Sequence, residues 1–192
     1  MLARGLIVVL VAAGCASAGP PPPAPRPRRP PPVKAAPVVS DSDCKATVPE
    51  ESAASVSYEQ RSRAEAANLA TTGARMLSDA YKAGVGPADR ERLVTDAVSE
   101  LITALKADPY NVNATYSLAA AYARIGRKQC SVNLLERLAL LRKLPSFTPE
   151  IEGKVDRLLG RNQYRGALDH DFDDLRAENP FREVVKQLVA PL

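Results

Sequence analysis

The chain has 192 residues and a formal net charge of +4, with 45% hydrophobic, 25% charged and 5% aromatic residues, three Cys, one His and no Trp. A single histidine excludes multi-His metal sites and leaves little for His-based nucleophilic catalysis. Its 17 prolines are about twice the usual share, and ten of them fall in residues 20–37. The composition is therefore that of one modest domain joined to a proline-rich segment.

Residues 1–4 give a short basic start, and residues 5–13 are an unbroken apolar run of nine. A bilayer crossing needs about 20 apolar residues, so this run has instead the length of a secretory signal core. Ala13, Gly14 and Cys15 follow. Two small residues before a cysteine resemble the lipobox of bacterial lipoproteins, with Ala12 where that motif usually has Leu. The resemblance implies removal of residues 1–14 as a lipoprotein signal peptide and lipidation of Cys15 as the new N-terminus. Two or more acyl chains anchor a protein stably, whereas one holds it only marginally. Ala16, standing where an Asp signals inner-membrane retention, implies the outer membrane. The other reading is an ordinary signal cleaved near Ala16 or Ala18, which discards Cys15.

Proline fixes φ and donates no backbone hydrogen bond. Residues 20–37 are therefore expected as polyproline II, a stalk of roughly 55 Å at about 3.1 Å per residue. Arg26, Arg28, Arg29 and Lys34 make it basic. That suits a spacer resting on anionic headgroups or wall polymer, or simply a soluble linker. Residues 38–56 are rich in Ser, Asp and Ala, with Cys44 among them, and extend the disordered linker.

From residue 57 onward apolar residues recur every three or four positions. Residues 59–83 place Ala64, Ala67, Ala70, Thr71, Ala74, Leu77 and Tyr81 on one expected helical face. Gly84 and Gly86 stop that helix, and Pro87 stands where a first helical residue belongs. The next helix, 87–107, carries Leu93, Val94, Ala97, Val98, Leu101, Ile102 and Leu105 in one stripe and ends at residues 108–111. A third holds Ala114, Leu118, Ala121, Tyr122 and Ile125 up to Gly126. A fourth, 128–143, holds Val132, Leu134, Leu135, Leu138, Ala139 and Leu141. Thr148 and Pro149 are expected as the cap and first turn of a fifth helix, which carries Ile151, Val155, Leu158 and Leu159 and ends at Gly160. Two shorter helical pieces, 163–176 and 181–190, complete the chain. No run alternates with period two, so the class is all-α, built from antiparallel helix pairs.

The order Ala97, Leu101, Ala104, Leu105, Asp108, Pro109, Asn111 is similar to the second helix and closing turn of a tetratricopeptide repeat (TPR). Leu118, Ala119, Tyr122, Gly126, Ser131, Leu135 and Leu138 then follow that family's spacing through a 34-residue unit, 112–145. Ala119 replaces the usual Gly at the helix contact, and Leu138 replaces a usual small residue. Residues 84–90 lengthen the turn of the first repeat. Asp169, Phe172, Leu175, Asn179, Pro180 and Phe181 resemble the terminal element that closes such arrays. The resemblance covers about 64–190. It implies a short TPR-like α-solenoid over 57–192 with a degenerate C-terminal capping element, preceded by the signal peptide 1–14 and the lipid-anchored linker 15–56. Such repeats bury their faces only against stacked neighbours, and about three units are the minimum. Two repeats and a closing pair meet it, with Arg182, Glu183 and Lys186 giving the last helix a polar outer face.

In the family register Asn113, Tyr116, Ala120, Ala123 and Arg124 point to the concave face and are peptide-binding candidates. Tyr and Asn can bind extended backbone, and Ala leaves room for it. The Lys and Asn pair by which some relatives clamp a C-terminal carboxylate is absent, since Tyr116 and Ala120 hold those places. Plain solvent exposure of the five residues is the alternative.

Residues 124–143 carry a net charge of +5 and residues 169–178 a net charge of −4, expected as two opposed patches. The basic one reads as a solvated face or as a seat for an acidic partner segment. No aromatic platform accompanies it, and an exported protein rarely meets nucleic acid, so nucleic acid is not expected as a partner. The run from Asp169 to Asp174 suggests a calcium loop, but that loop needs Gly at its sixth position and Glu at its twelfth. Here Asp174 and Pro180 stand there. An acidic turn remains, with Phe172 and Leu175 toward the core and His170 exposed. Neither metal nor cofactor is expected, and without a nucleophile, base and orienting group no enzyme is expected either.

These readings converge on an outer-membrane lipoprotein facing the periplasm, an adaptor or assembly factor that meets envelope proteins through an extended peptide or acidic segment. A structural spacer between outer membrane and cell wall is the alternative. With Cys15 lipidated, Cys44 and Cys130 form an even pair in an oxidising compartment, expected as a disulfide. A buried Cys130 with a free Cys44 thiol is the other possibility. If Cys15 carries the anchor, Cys15→Ser moves the protein from the membrane fraction to the soluble periplasm. Unchanged membrane retention of that variant would refute the lipid anchor.

Overall fold

The computed structural model describes Cys44, Lys45 and residues 62–191. The signal segment, Cys15, residues 57–61 and the rest of the 15–56 linker lie outside the described residues. Helices account for the ordered elements, and among the described residues there is no strand.

Helices α1 (Arg63–Ala80) and α2 (Pro87–Ala107) run antiparallel. At one end the Ser62 N–H donates to the Ala107 carbonyl at 3.1 Å, and at the other Arg90 Nε donates to the Ala80 carbonyl at 3.2 Å. Between these ends Gly73 faces Leu101. A Cβ at Gly73 would stand 2.7 Å from Leu101 Cγ and 3.1 Å from the Ala97 carbonyl, so this approach requires glycine. It also sets the rotation of α1. The buried residues are Ala66, Ala70, Gly73, Leu77 and Ala80, whereas Ala64 and Ala67, expected on the core face, are exposed. Alanines mark two faces of this helix, and the contact at Gly73 selects one of them.

Helices α3 (Val112–Arg124) and α4 (Lys128–Leu141) form the second antiparallel pair. The Asn111 side chain caps α3 by accepting from the Ala114 N–H at 2.8 Å, which satisfies one of the helix's orphan donors. Ser131 Oγ donates to the Ala119 carbonyl at 2.8 Å where the helices touch. Leu118, Tyr122, Leu135 and Leu138 are buried between them. Arg137 on α4 donates to the Pro109 carbonyl and ties down the turn before α3.

Helix α5 (Thr148–Leu159) starts one residue differently from expectation. Thr148 lies inside the helix and does not cap it. Its hydroxyl donates back to the Arg142 carbonyl at 2.9 Å, satisfying an acceptor at the end of α4. Gly160 ends α5 at φ 65, and the Arg161 N–H donates to the Asp156 carbonyl at 2.8 Å.

The helix expected over 163–176 is replaced by two 3-10 segments, Asn162–Tyr164 and His170–Leu175. Gly160, Asn162, Arg165 and Gly166 all have φ between 48° and 87°, and a right-handed helix cannot continue through left-handed residues. The Gly166 N–H donates to the Gly160 carbonyl at 2.6 Å, which closes the loop on itself. A final helix, α6 (Asn179–Val189), buries Phe181, Val184 and Leu188 and exposes Arg182, Glu183 and Lys186. It lies parallel to α4: Lys128 pairs with Glu178 at their starts, and Arg142 Nη1 donates to the Ala190 carbonyl at 2.7 Å at their ends. Among the described residues no helix is long and apolar enough to cross a membrane.

Cys44 and Cys130 are both buried and stand at disulfide distance, Sγ to Sγ 2.12 Å and Cα to Cα 5.0 Å. Cys130 sits in the first turn of α4. A bond here spans a sequence separation of 86 residues and contributes about 4–5 kcal/mol in the chain-entropy model. A non-reducing peptide map of protein exported to an oxidising compartment is expected to recover the two cysteines in one linked species. Finding both thiols free to alkylating reagent after unfolding would rule the bond out.

Candidate functional site

Residues at three- and four-residue steps share a helix face, and two such faces meet in a groove of about 410 Å³. Ala74, Ser78 and Tyr81 contribute from α1, and Tyr116, Ala120 and Arg124 from α3. Arg157 on α5 closes one end, and residues 167–171 form the facing wall. The small residues in the floor leave the space.

Three of the five concave-face candidates, Tyr116, Ala120 and Arg124, line this groove. Asn113 does not. Its Oδ1 accepts from Lys154 Nζ at 2.7 Å, and burial pushes that ammonium below its ordinary pKa. Ala123 is buried away from the groove.

The chain's own acidic segment is laid into the groove, which the sequence alone did not indicate. Asp169 is 8% exposed. Its Oδ2 accepts from the Tyr116 hydroxyl at 2.8 Å and faces Arg157 Nε at 2.7 Å. Two residues on, Asp171 Oδ1 accepts from Arg124 Nε at 2.8 Å, and Arg157 Nη2 stands 3.6 Å from Asp171 Oδ2. Arg176 Nη2 donates to the Asp169 carbonyl at 2.8 Å. Two carboxylates are thus bound by a phenol and two guanidiniums from α3 and α5. Phe172, fully buried, meets the Tyr116 ring edge-on at 5.5 Å and draws the segment inward.

Electrostatics follow from this packing. Burial raises the Tyr116 phenol above its ordinary pKa, and the Asp169 charge beside it adds to the effect, so the hydroxyl stays a donor. Burial also raises the Asp171 carboxyl, as does the neighbouring Asp169 charge, against the pull of Arg124 and Arg157. Burial works against the Arg157 charge, yet Asp169, Tyr116 and Asp171 together hold its pKa above the ordinary value. Arg124 also lies over the Tyr81 ring, 4.2 Å from its centroid, which fixes the guanidinium plane.

The two charge patches expected to be opposed are in contact, through Arg124 with Asp171 and Lys128 with Glu178. Asp169, Asp171 and Arg157 are site residues that the sequence reading missed. The available signal was Phe172, an apolar residue that the turn must bury, carrying its acidic neighbours with it. His170 is exposed at the rim with Nδ1 2.9 Å from Asp173 Oδ2. Among the described residues no group of three or more His, Cys, Asp or Glu is placed to hold a metal ion. What the arrangement can do is bind carboxylates on an extended or turn-like segment. Comparison with family models, with curated proteins and with solved structures gives no match to this chain.

Tyr116→Phe deletes a hydrogen bond to a buried carboxylate without changing the ring. Bonds to charged groups contribute about 1.5–3 kcal/mol. Urea unfolding is therefore expected to show a stability loss of about that size with the slope m unchanged. No measurable loss would mean that Asp169 is not held in the groove.

Proposed function

We propose that this chain is a TPR-like lipoprotein, anchored in the outer membrane through Cys15 and facing the periplasm, that acts as an adaptor or assembly factor for an envelope protein. Supporting the TPR-like arrangement are the 34-residue spacing over 112–145, the antiparallel pairs α1/α2 and α3/α4, and α6 lying parallel to α4. In this reading α1, α3 and α5 are inner helices, and α6 takes the outer place in a closing third unit. The loop at 160–166 and the 3-10 segment His170–Leu175 stand between them.

One observation carries the adaptor reading: the groove between inner helices holds a short acidic segment by its carboxylates, through Tyr116, Arg124 and Arg157. A surface that binds one segment in this way has the donors to bind a partner's. A spacer needs no such groove; it would fail when the proline stalk is shortened and tolerate changes at residues 78–124.

Ser78 is exposed and lines the groove, whereas Glu91 is exposed on α2 outside it. A photo-crosslinking residue at position 78 of the lipidated protein, in its own envelope, is expected to give a discrete adduct with an envelope protein. The same residue at position 91 is expected to give none, and Arg124→Gln is expected to weaken the adduct at 78. Equal labelling from both positions, or none from either, would defeat the adaptor reading.

A further inference from the structure

The segment that walls the groove has two halves held in different ways. Phe172 and Leu175 are fully buried and belong to the core. Upstream, Asp169 is the one buried residue between 165 and 171, and Leu168 is 41% exposed at the groove's edge. Asn162 and Arg165 hold left-handed φ of 49° and 48°, a conformation that non-glycine residues keep only when their surroundings enforce it. What enforces it here is mainly the binding of two carboxylates. Apart from the Asp171 N–H, which donates to Asp169 Oδ1 at 3.2 Å, their partners come from α3 and α5: Tyr116, Arg124 and Arg157. The segment is seated as a ligand would be.

Resting on the adaptor reading, we infer that residues 165–171 are a built-in occupant of the groove and that the partner is an acidic segment with an Asp-x-Asp centre, which takes their place. The exchange balances in charge. As Asp169 and Asp171 leave Arg124 and Arg157, two carboxylates arrive, and no buried guanidinium is left uncompensated. Phe172 and Leu175 keep the domain closed while the upstream half moves. The occupant is tethered, so it competes at an effective concentration in the millimolar range. The partner's apparent affinity is lowered by the fraction of chains whose groove is open. Weakening the occupant must therefore tighten partner binding.

The test uses the full oxidised chain and a fluorescein-labelled peptide with an Asp-Ala-Asp centre, read by anisotropy. A control peptide carries Asn-Ala-Asn. The double variant Asp169→Asn, Asp171→Asn keeps side-chain shape and removes both charges. It is expected to bind the acidic peptide about tenfold or more tighter than the unaltered chain, the factor for roughly one charge-assisted hydrogen bond released. Adding Arg124→Gln is expected to reverse that gain, and the Asn-Ala-Asn peptide is expected not to bind. Circular dichroism checks that helix content is kept. Should the double variant lose it, Asp171→Asn alone, which leaves the Asp169 contacts in place, is held to the same expectation. A folded variant that binds no tighter than the unaltered chain, or binds both peptides equally, overturns the inference. The two failures are distinguishable: an adduct from position 78 together with no peptide binding leaves the adaptor standing and removes the acidic occupant.

Discussion

A carboxylate taken out of water must find charge and hydrogen bonds in the protein, or its burial costs several kcal/mol. Asp169 meets that demand with Tyr116 and Arg157, and Asp171 with Arg124 and Arg157. The C-terminal part of the chain is arranged around this requirement. Arg157 must stand near the end of α5, the chain must reverse at once through Gly160, and the acidic turn must come back across α3. Once it does, Phe172 can sit between Tyr116 and Phe181, with ring centroids 5.5 Å and 6.1 Å away. That aromatic contact joins the turn to α6. The polar binding and the apolar burial each fix the position that the other needs.

The first half of the domain obeys a different constraint. Its core is built largely from alanine, glycine and leucine, so helices stand close together and volume is scarce. Gly73 against Leu101 and Ser131 against the Ala119 carbonyl are the two points where close approach decides the arrangement. The same economy of side chains produces the groove: Ala74, Ser78 and Ala120 leave its floor low, while tyrosines and arginines supply the walls. An enlarged residue at any of the three would fill the space directly, since backbone this closely packed has little room to yield.

Helix stripes, the Asn111 cap and the stops at Gly126 and Gly160 were legible in the sequence because each depends on residues a few positions apart. So was the Cys44 and Cys130 pair now standing at disulfide distance, which parity and compartment suggest without any geometry. The rotation of α1 was not legible, because an alanine-rich helix has no unique apolar face until a particular neighbour is packed on it. Residues 163–176 were misread as a helix because their apolar residues keep an acceptable spacing, whereas the decisive φ values are those of Asn162, Arg165 and Gly166. Asp169 reads locally as a solvated turn residue. Its burial arises from Tyr116, 53 positions away in sequence, and no short-range pattern contains that contact.

Charge counted along the sequence also misplaces the surface that could attract an acidic partner. Of the six cations in residues 124–143, five are engaged within the domain. Arg124 meets Asp171, Lys128 meets Glu178, and Arg127 lies over the Tyr122 ring. Arg137 is turned inward to the Pro109 carbonyl, with burial lowering its pKa, and Arg142 is held between Ala190 and Glu152. A field summed from such neutralised groups is weak beyond a Debye length of about 8 Å at physiological salt, so long-range steering contributes little to partner encounter. Selectivity for acidic segments then has to come from contact, at the guanidiniums that Asp169 and Asp171 already occupy. A site of that kind discriminates by exchange: a partner lacking either carboxylate leaves a buried cation unpaired on arrival and is rejected by the same electrostatics that seat the chain's own segment.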